Sequence, residues 1–276
     1  MRTLFHLPLA LTGFCLALLV GWSQISVSAA DQLNSFKLLS NEAADRCISE
    51  ETCLRDLFLK ATLGGDDTVA PLHTTAKKSY IASFAGDHVS AELRAPIEAA
   101  MRKISLLATL AGADLDLAEP DSGEVISLMV LISDDFVRDR EQSFKKLLTE
   151  VFAGNAAGYD DLAESGPPIC RTRLFVDRLA TIEGALALAE GDTDRPTLER
   201  CLHRLTLNML GLRHPLPENV DSVLNPASSR ETWTSIDFLL LKLLHDPLVE
   251  PGMTSEQLIA IFPKIYAKLE LLRSSS

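Results

Sequence analysis

The chain has 276 residues, 47% of them hydrophobic, enough to bury one sizeable core and too apolar to be disordered over most of its length. Acids outnumber bases 38 to 26, and no cluster of Lys or Arg gathers the positive charge into a patch, so nucleic acid is not expected as a partner.

Residues 1–30 carry one charge, Arg2, then an apolar run over 4–20 and the small residues Val27, Ser28, Ala29 and Ala30. This pattern predicts a secretory signal peptide and a periplasmic or secreted protein. Cleavage would leave 25 bases against 38 acids, a formal charge of −13. An uncleaved segment would instead be a membrane tether, the one route by which the chain would meet a membrane. Cys15 would leave with the signal, and Phe14 stands where a lipidation motif needs a small residue. Four cysteines then remain, Cys47, Cys53, Cys170 and Cys201, an even number suited to an oxidising compartment. Of the three pairings, Cys47 with Cys53 and Cys170 with Cys201 are favoured. The first two are close in sequence, and the second two flank one supersecondary unit.

In chain order, residues 31–77 predict a short helical N-terminal segment followed by a Gly- and Asp-rich linker, and residues 78–276 form the main domain. Residues 80–84 read as a first strand. Ser90 caps a helix whose stripe, Leu93, Ile97, Ala100, Met101, Ile104, Leu107 and Leu110, recurs at helical spacing and stops at Gly112. Residues 114–118 alternate polar and apolar, and the nearly continuous apolar run over 124–133 predicts a central strand. An amphipathic stretch over 135–152 and a breaker-rich one over 154–168 lead to two short segments, 169–176 and 181–189, read as a hairpin. The stretch 196–215 follows, a helix with Thr193 and Asp194 as cap candidates, Pro196 in its first turn and Gly211 at its end, then an extended exit at Pro215. Thr234 and Asp237 approximate a capping box behind Trp233. Residues 235–245 then form an apolar helix, and a final helix is expected to be kinked or split by Pro263. The fold class is α+β, a single domain with a small mixed sheet packed on helices and a helical C-terminal part.

Counting back from Gly211 gives the frame of a zinc-protease helix, H-E-x-x-H-x-x-G-x-x-H. Two histidines four residues apart share one helix face and bind zinc, and the intervening glutamate activates the water. Here Arg204, Leu205 and Asn208 occupy the first His, the Glu and the second His, and only Gly211 and His214 match. Arg204 is a permanent cation, Leu205 cannot move a proton and Asn208 is a poor ligand. Catalytic zinc is therefore not expected at this helix, and His214 is the one motif residue that could still hold a metal. No C-x-x-C pair, Gly-rich phosphate loop or G-x-S-x-G elbow occurs, so no cofactor is implied.

The helix ending in Leu210-Gly211-Leu212 and the segment from Ile236 through Asp246-Pro247 to Pro251-Gly252-Met253 resemble an uncharacterised family of exported bacterial proteins, a domain of unknown function related to metzincin-type zinc proteases. The resemblance covers about residues 78–258. It implies a zincin-like fold, makes Met253 a candidate for the methionine turn and carries no activity with it. The expectation is an exported, non-catalytic zincin-like pseudoenzyme that binds an envelope protein or peptide or serves a structural role there. The rival is a peptidase-like hydrolase drawing metal ligands from His203, His214, His245 or acids elsewhere, although His203 reads as a solvated or core-edge residue and His245 as one that meets the dipole of its own helix.

Overall fold

The computed structural model describes residues 41–64, 78–84, 91–113, 115–117, 128–133, 170–176, 178, 181–191 and 193–274, all within one compact unit spanning Leu38–Ser276. The expected signal (1–30), the linker beyond Gly64 and the stretches 135–152 and 154–168 lie outside the described residues.

The fold is mixed α and β. Its sheet has five strands in the order β2-β1-β3-β5-β4: β1 is Lys78–Phe84, β2 Leu115–Leu117, β3 Leu128–Ser133, β4 Cys170–Val176 and β5 Ile182–Glu190. β3 is the central strand, as its apolar run predicts, with all six residues buried. It pairs in parallel with β1 on one side and β5 on the other. A strand covered on both faces has no solvent side to mark with polar residues, so it reads as a continuous apolar run. β4 pairs antiparallel with β5 as the expected hairpin. The alternation at 114–118 is a short strand, β2, parallel to β1.

α3, Ala91–Ala111, follows its predicted stripe, with Ile97, Met101, Ile104 and Leu107 all buried. Gly112 ends it at φ 99°, and the hydroxyls of Ser105 and Thr109 donate to Leu115 O at 2.7 and 3.0 Å, tying the helix to β2. The motif helix, α4, is Arg195–Met209 and packs on both β4 and β5. α5 is Ser235–Leu244 and α6 Ser255–Ser274. Of the kink or split expected at Pro263, the split does not occur, and α6 runs through it. Pro263 is exposed while Phe262, Ile265 and Tyr266 are buried, so the lost backbone bond lies on the solvent side and the packed side keeps the helix continuous.

Before the sheet come α1, Glu42–Ser49, and α2, Glu51–Leu63. The Asn41 side chain caps α1 by accepting from Ala44 N at 2.8 Å, and the Cys47–Cys53 disulfide, Cα atoms 5.1 Å apart, braces the turn into α2. Phe58 meets Phe262 with ring centroids 6.0 Å apart, and the Tyr266 hydroxyl donates to Ile48 O at 3.2 Å, so both helices seat on α6. Among the described residues, no helix is long and apolar enough to cross a membrane.

Candidate functional site

α4 begins where the sequence places its cap. The Asp194 carboxylate accepts from Thr197 N at 3.0 Å, satisfying one of the first-turn amides, and Pro196 sits where no amide bond is owed. Leu198, Cys201, Leu202, Leu205 and Met209 face the core. The C-terminus closes in the glycine-based two-bond cap. Gly211 N donates to Asn208 O at 3.1 Å and Leu212 N to Leu207 O at 3.0 Å, with Gly211 at φ 107°. The glycine of the protease frame thus serves here as a helix stop.

The other motif positions separate. Arg204 and Asn208, one turn apart, lie on the half-exposed side of the helix. Leu205, in the glutamate's place, is fully buried. His214 donates its backbone N–H to Ala61 O at 3.0 Å, and its ring lies so close to Gly64, the C-cap of α2, that a Cβ there would stand 2.6 Å from Nδ1. Gly64 has φ 77°, so both its backbone and this contact call for glycine. The surviving histidine of the motif is therefore packed against the end of α2.

Among the described residues, the other two histidines do not join it in a group that could hold a metal. His203, expected at a solvated or core-edge position, is buried, its ring edge-on to Trp233 at 6.0 Å. Among the described residues its Nδ1 has no hydrogen-bond partner, and burial, with a smaller contribution from Lys103, pushes its pKa down to about 3. His245, expected to meet the dipole of α5, forms that helix's C-cap. Burial there pushes its pKa down to about 4, against the upward pull of a helix C-terminus. Among the described residues, no group of three His, Cys, Asp or Glu side chains could hold a metal ion. Met253 turns its sulfur onto its own loop, where Sδ accepts from Glu250 N at 3.4 Å.

The half-exposed face of α4 borders a concavity of about 260 Å³. The Cys170–Cys201 disulfide, Cα atoms 5.8 Å apart, lines it and ties β4 to the helix. Both favoured cysteine pairings are thus present. Arg200 and Arg204 lie one turn apart in the lining, with Glu190, Thr193 and Thr197 at the end of β5 and the start of the helix. Arg200 Nη1 donates to Ser228 O at 2.9 Å. Burial, and then the charge of Arg200, lower the Arg204 pKa. Arg200 was not picked out as a site residue from the sequence, although its spacing from Arg204 places it on the same face.

Sequence reasoning also missed how much Asp237 does. It completes the expected capping box with Thr234 at the start of α5. It also accepts from the Ser222 hydroxyl and from Val223 N at 3.1 Å, so one fully buried carboxylate holds both the helix start and the preceding loop. Burial raises its pKa to about 6, opposed by the hydrogen bonds from Ser222, Thr234 and Val223. Asp221, beside this knot, pairs with Arg230 through two bonds. Trp233 secures the knot to α4 by donating from Nε1 to His203 O at 2.9 Å.

The chain has no match among curated proteins or among solved structures. A family model described as "Protein of unknown function (DUF2927)" matches residues 81–264, from β1 into α6 and across the whole motif helix, and the chain belongs to that family.

Proposed function

We propose that the protein is an exported, non-catalytic, zincin-like binding module of the bacterial envelope. The observation that carries the reading is the state of the motif helix. The general-base position is Leu205, sealed in the core, and the first ligand position is the cation Arg204. A helix so occupied repels a divalent ion and offers no group to activate water. The zincin-like assignment draws support from the mixed sheet, from the motif helix delivered directly by the β4–β5 hairpin and from the helical C-terminal part. Export draws support from the two disulfides and from the signal-like sequence of residues 1–30.

The test is elemental analysis of the full chain purified oxidised and exposed to zinc, alongside His214→Ala. The expected result is no stoichiometric metal in either protein. One zinc per chain in the wild type, lost in the variant, would overturn the reading in favour of a metal-dependent hydrolase.

A further inference from the structure

The Cys170–Cys201 disulfide sits where the fold has other means of holding its two ends. β4 keeps its antiparallel register with β5 from Cys170, opposite Ala189, and slips only at Phe175–Val176, the far end of the strand. α4 packs on both strands, with Leu198, Leu202, Leu205 and Met209 each at most 1% exposed. Two ties from the chain beyond α4 hold the helix as well: Trp233 Nε1 donates to His203 O at 2.9 Å, and Arg200 Nη1 to Ser228 O at 2.9 Å. A bond between elements already packed this closely adds little to where they sit. Opening it would leave the two residues near their present Cα separation of 5.8 Å, from which the bond can form again.

The bond is also within reach, because it lines the concavity of about 260 Å³. Pro226, in the same lining, belongs to a loop that is itself fixed: Asn225 Nδ2 donates to Glu218 O at 2.8 Å and to Val220 O at 2.9 Å. The concavity therefore does not depend on the disulfide for its shape. Its wall carries both signs, Arg200 and Arg204 with Glu190 and, bonded to Thr197, the Asp194 carboxylate that feels the charge of Arg200. A wall of mixed sign selects no ion by charge alone. What it offers is a sulfur, and the two sulfurs differ in access. Cys170 is half-buried on β4, whereas Cys201 is 7% exposed on α4, so a reagent in the concavity meets Cys170 first.

We infer that the Cys170–Cys201 disulfide is a thiol-exchange site whose substrate is a cysteine thiol, free or within a peptide. The concavity falls just short of the roughly 300–1,000 Å³ of sites for drug-sized molecules, which suits a single cysteine residue. The substrate thiolate attacks Cys170 Sγ. A bond forms between these sulfurs, the Cys170–Cys201 bond breaks, and its electron pair leaves on Cys201 Sγ, which takes up the proton that the substrate thiol gave up. A second substrate thiolate attacks the substrate sulfur of this mixed disulfide and releases Cys170 Sγ, which takes up the second proton. Two substrate thiols are thereby oxidised to one disulfide, and the protein disulfide is reduced to two thiols. The inference goes beyond the binding-module reading and does not depend on it.

The test exposes the oxidised full chain to cysteine or to alanyl-cysteinyl-alanine, stops the reaction with an alkylating agent at intervals and follows Cys170–Cys201 by peptide mapping. In the folded protein this bond should open within roughly tenfold of its rate in denaturing urea, because its outer sulfur is already accessible, and low urea should not speed it. In Cys201→Ser treated with cystine, Cys170 should take up one cysteine at least roughly tenfold faster than Cys201 does in Cys170→Ser. Faster opening by the tripeptide identifies a peptide as the source of the thiol, and faster opening by cysteine the free amino acid; the exchange itself is supported in either case. Opening more than roughly tenfold slower than in the denatured chain, or opening that accelerates in low urea, would mean that the fold must loosen first and would overturn the inference. Uptake at Cys201 as fast as at Cys170 would overturn it too. The wild-type rates decide the matter even where a serine variant fails to fold.

Discussion

Asp237 and Arg204 are ionisable groups with opposite surroundings. The carboxylate of Asp237 is sealed from water and accepts from Ser222, Val223 and Thr234. Arg204, on the half-exposed face of α4, has a like charge for a neighbour and, among the described residues, no ion pair. A charge that holds a fold together is surrounded by its partners, because burial without them is costly. A charge kept half-open without such partners does nothing for the fold. His203 stands between the two, enclosed like Asp237 yet with an unmatched Nδ1.

Three substitutions set these cases against one another. The largest effect is expected at Asp237. Asp237→Ala strips the acceptor from the buried hydroxyls of Ser222 and Thr234 and from the amides of Val223 and Thr234, and should cost about 3 kcal/mol or more in denaturant unfolding. A loss near that of an ordinary surface substitution would mean that the knot is not what holds the loop before α5.

Next is His203, read through pH. Its folded pKa of about 3 lies below the ordinary 6.5, so the neutral ring's contribution is complete above pH 6.5 and is lost as the pH falls through that window. The loss should be about 2 kcal/mol between pH 6.5 and 5. Asp237 acts in the opposite sense. Its folded pKa of about 6 lies above the ordinary 3.8, so the penalty of its buried charge is relieved as the pH falls from about 6 toward 3.8. His203→Phe keeps a ring beside Trp233 and should remove the larger share of the acid-side loss, leaving that of His245, whose folded pKa of about 4 acts in the same sense. An unchanged pH profile of unfolding would show that the ring is not held neutral by burial.

The smallest effect is expected at Arg204. Arg204→Leu removes an unmatched cation beside Arg200 and should raise stability by less than about 1 kcal/mol, most visibly at low salt. Marked destabilisation would make Arg204 a structural residue and erase the contrast with Asp237.

How legible these features were in the sequence follows from how local they are. The cap of α4, its glycine stop, the stripe of α3 and the buried run of β3 were readable because each is decided by neighbours within a few residues. The disulfide pairing was readable because spacing and the hairpin narrowed three choices. The three-residue β2 was not, since parallel pairing with β1 is supplied by distant chain. Pro263 misled because the rule for proline concerns backbone bonds, while here the buried side of α6 outweighs the one bond lost. The capping role of Asp237 was legible, but its grip on Ser222 and Val223 was not, because nothing local ties those residues to it. His203 was misplaced because helical periodicity put it at the margin of the apolar stripe, and Trp233, set edge-on to its ring, closes over that margin. Arg200 carried a readable signal in its spacing from Arg204, but only the concavity gives that spacing meaning.

The family's borders and the folding unit's borders differ. The match begins at residue 81 and ends at 264, yet Phe58 packs on Phe262, Tyr266 reaches back to Ile48, and His214 leans on Ala61 and Gly64. A fragment cut at the family's edges would lose α1, α2 and the outer half of α6. It would bare the apolar side of what remains of α6 and leave the exit of the motif helix without its abutment. What identifies this chain by descent is therefore shorter than what it needs in order to stand, and any shortened version should begin no later than Asn41, whose side chain caps α1.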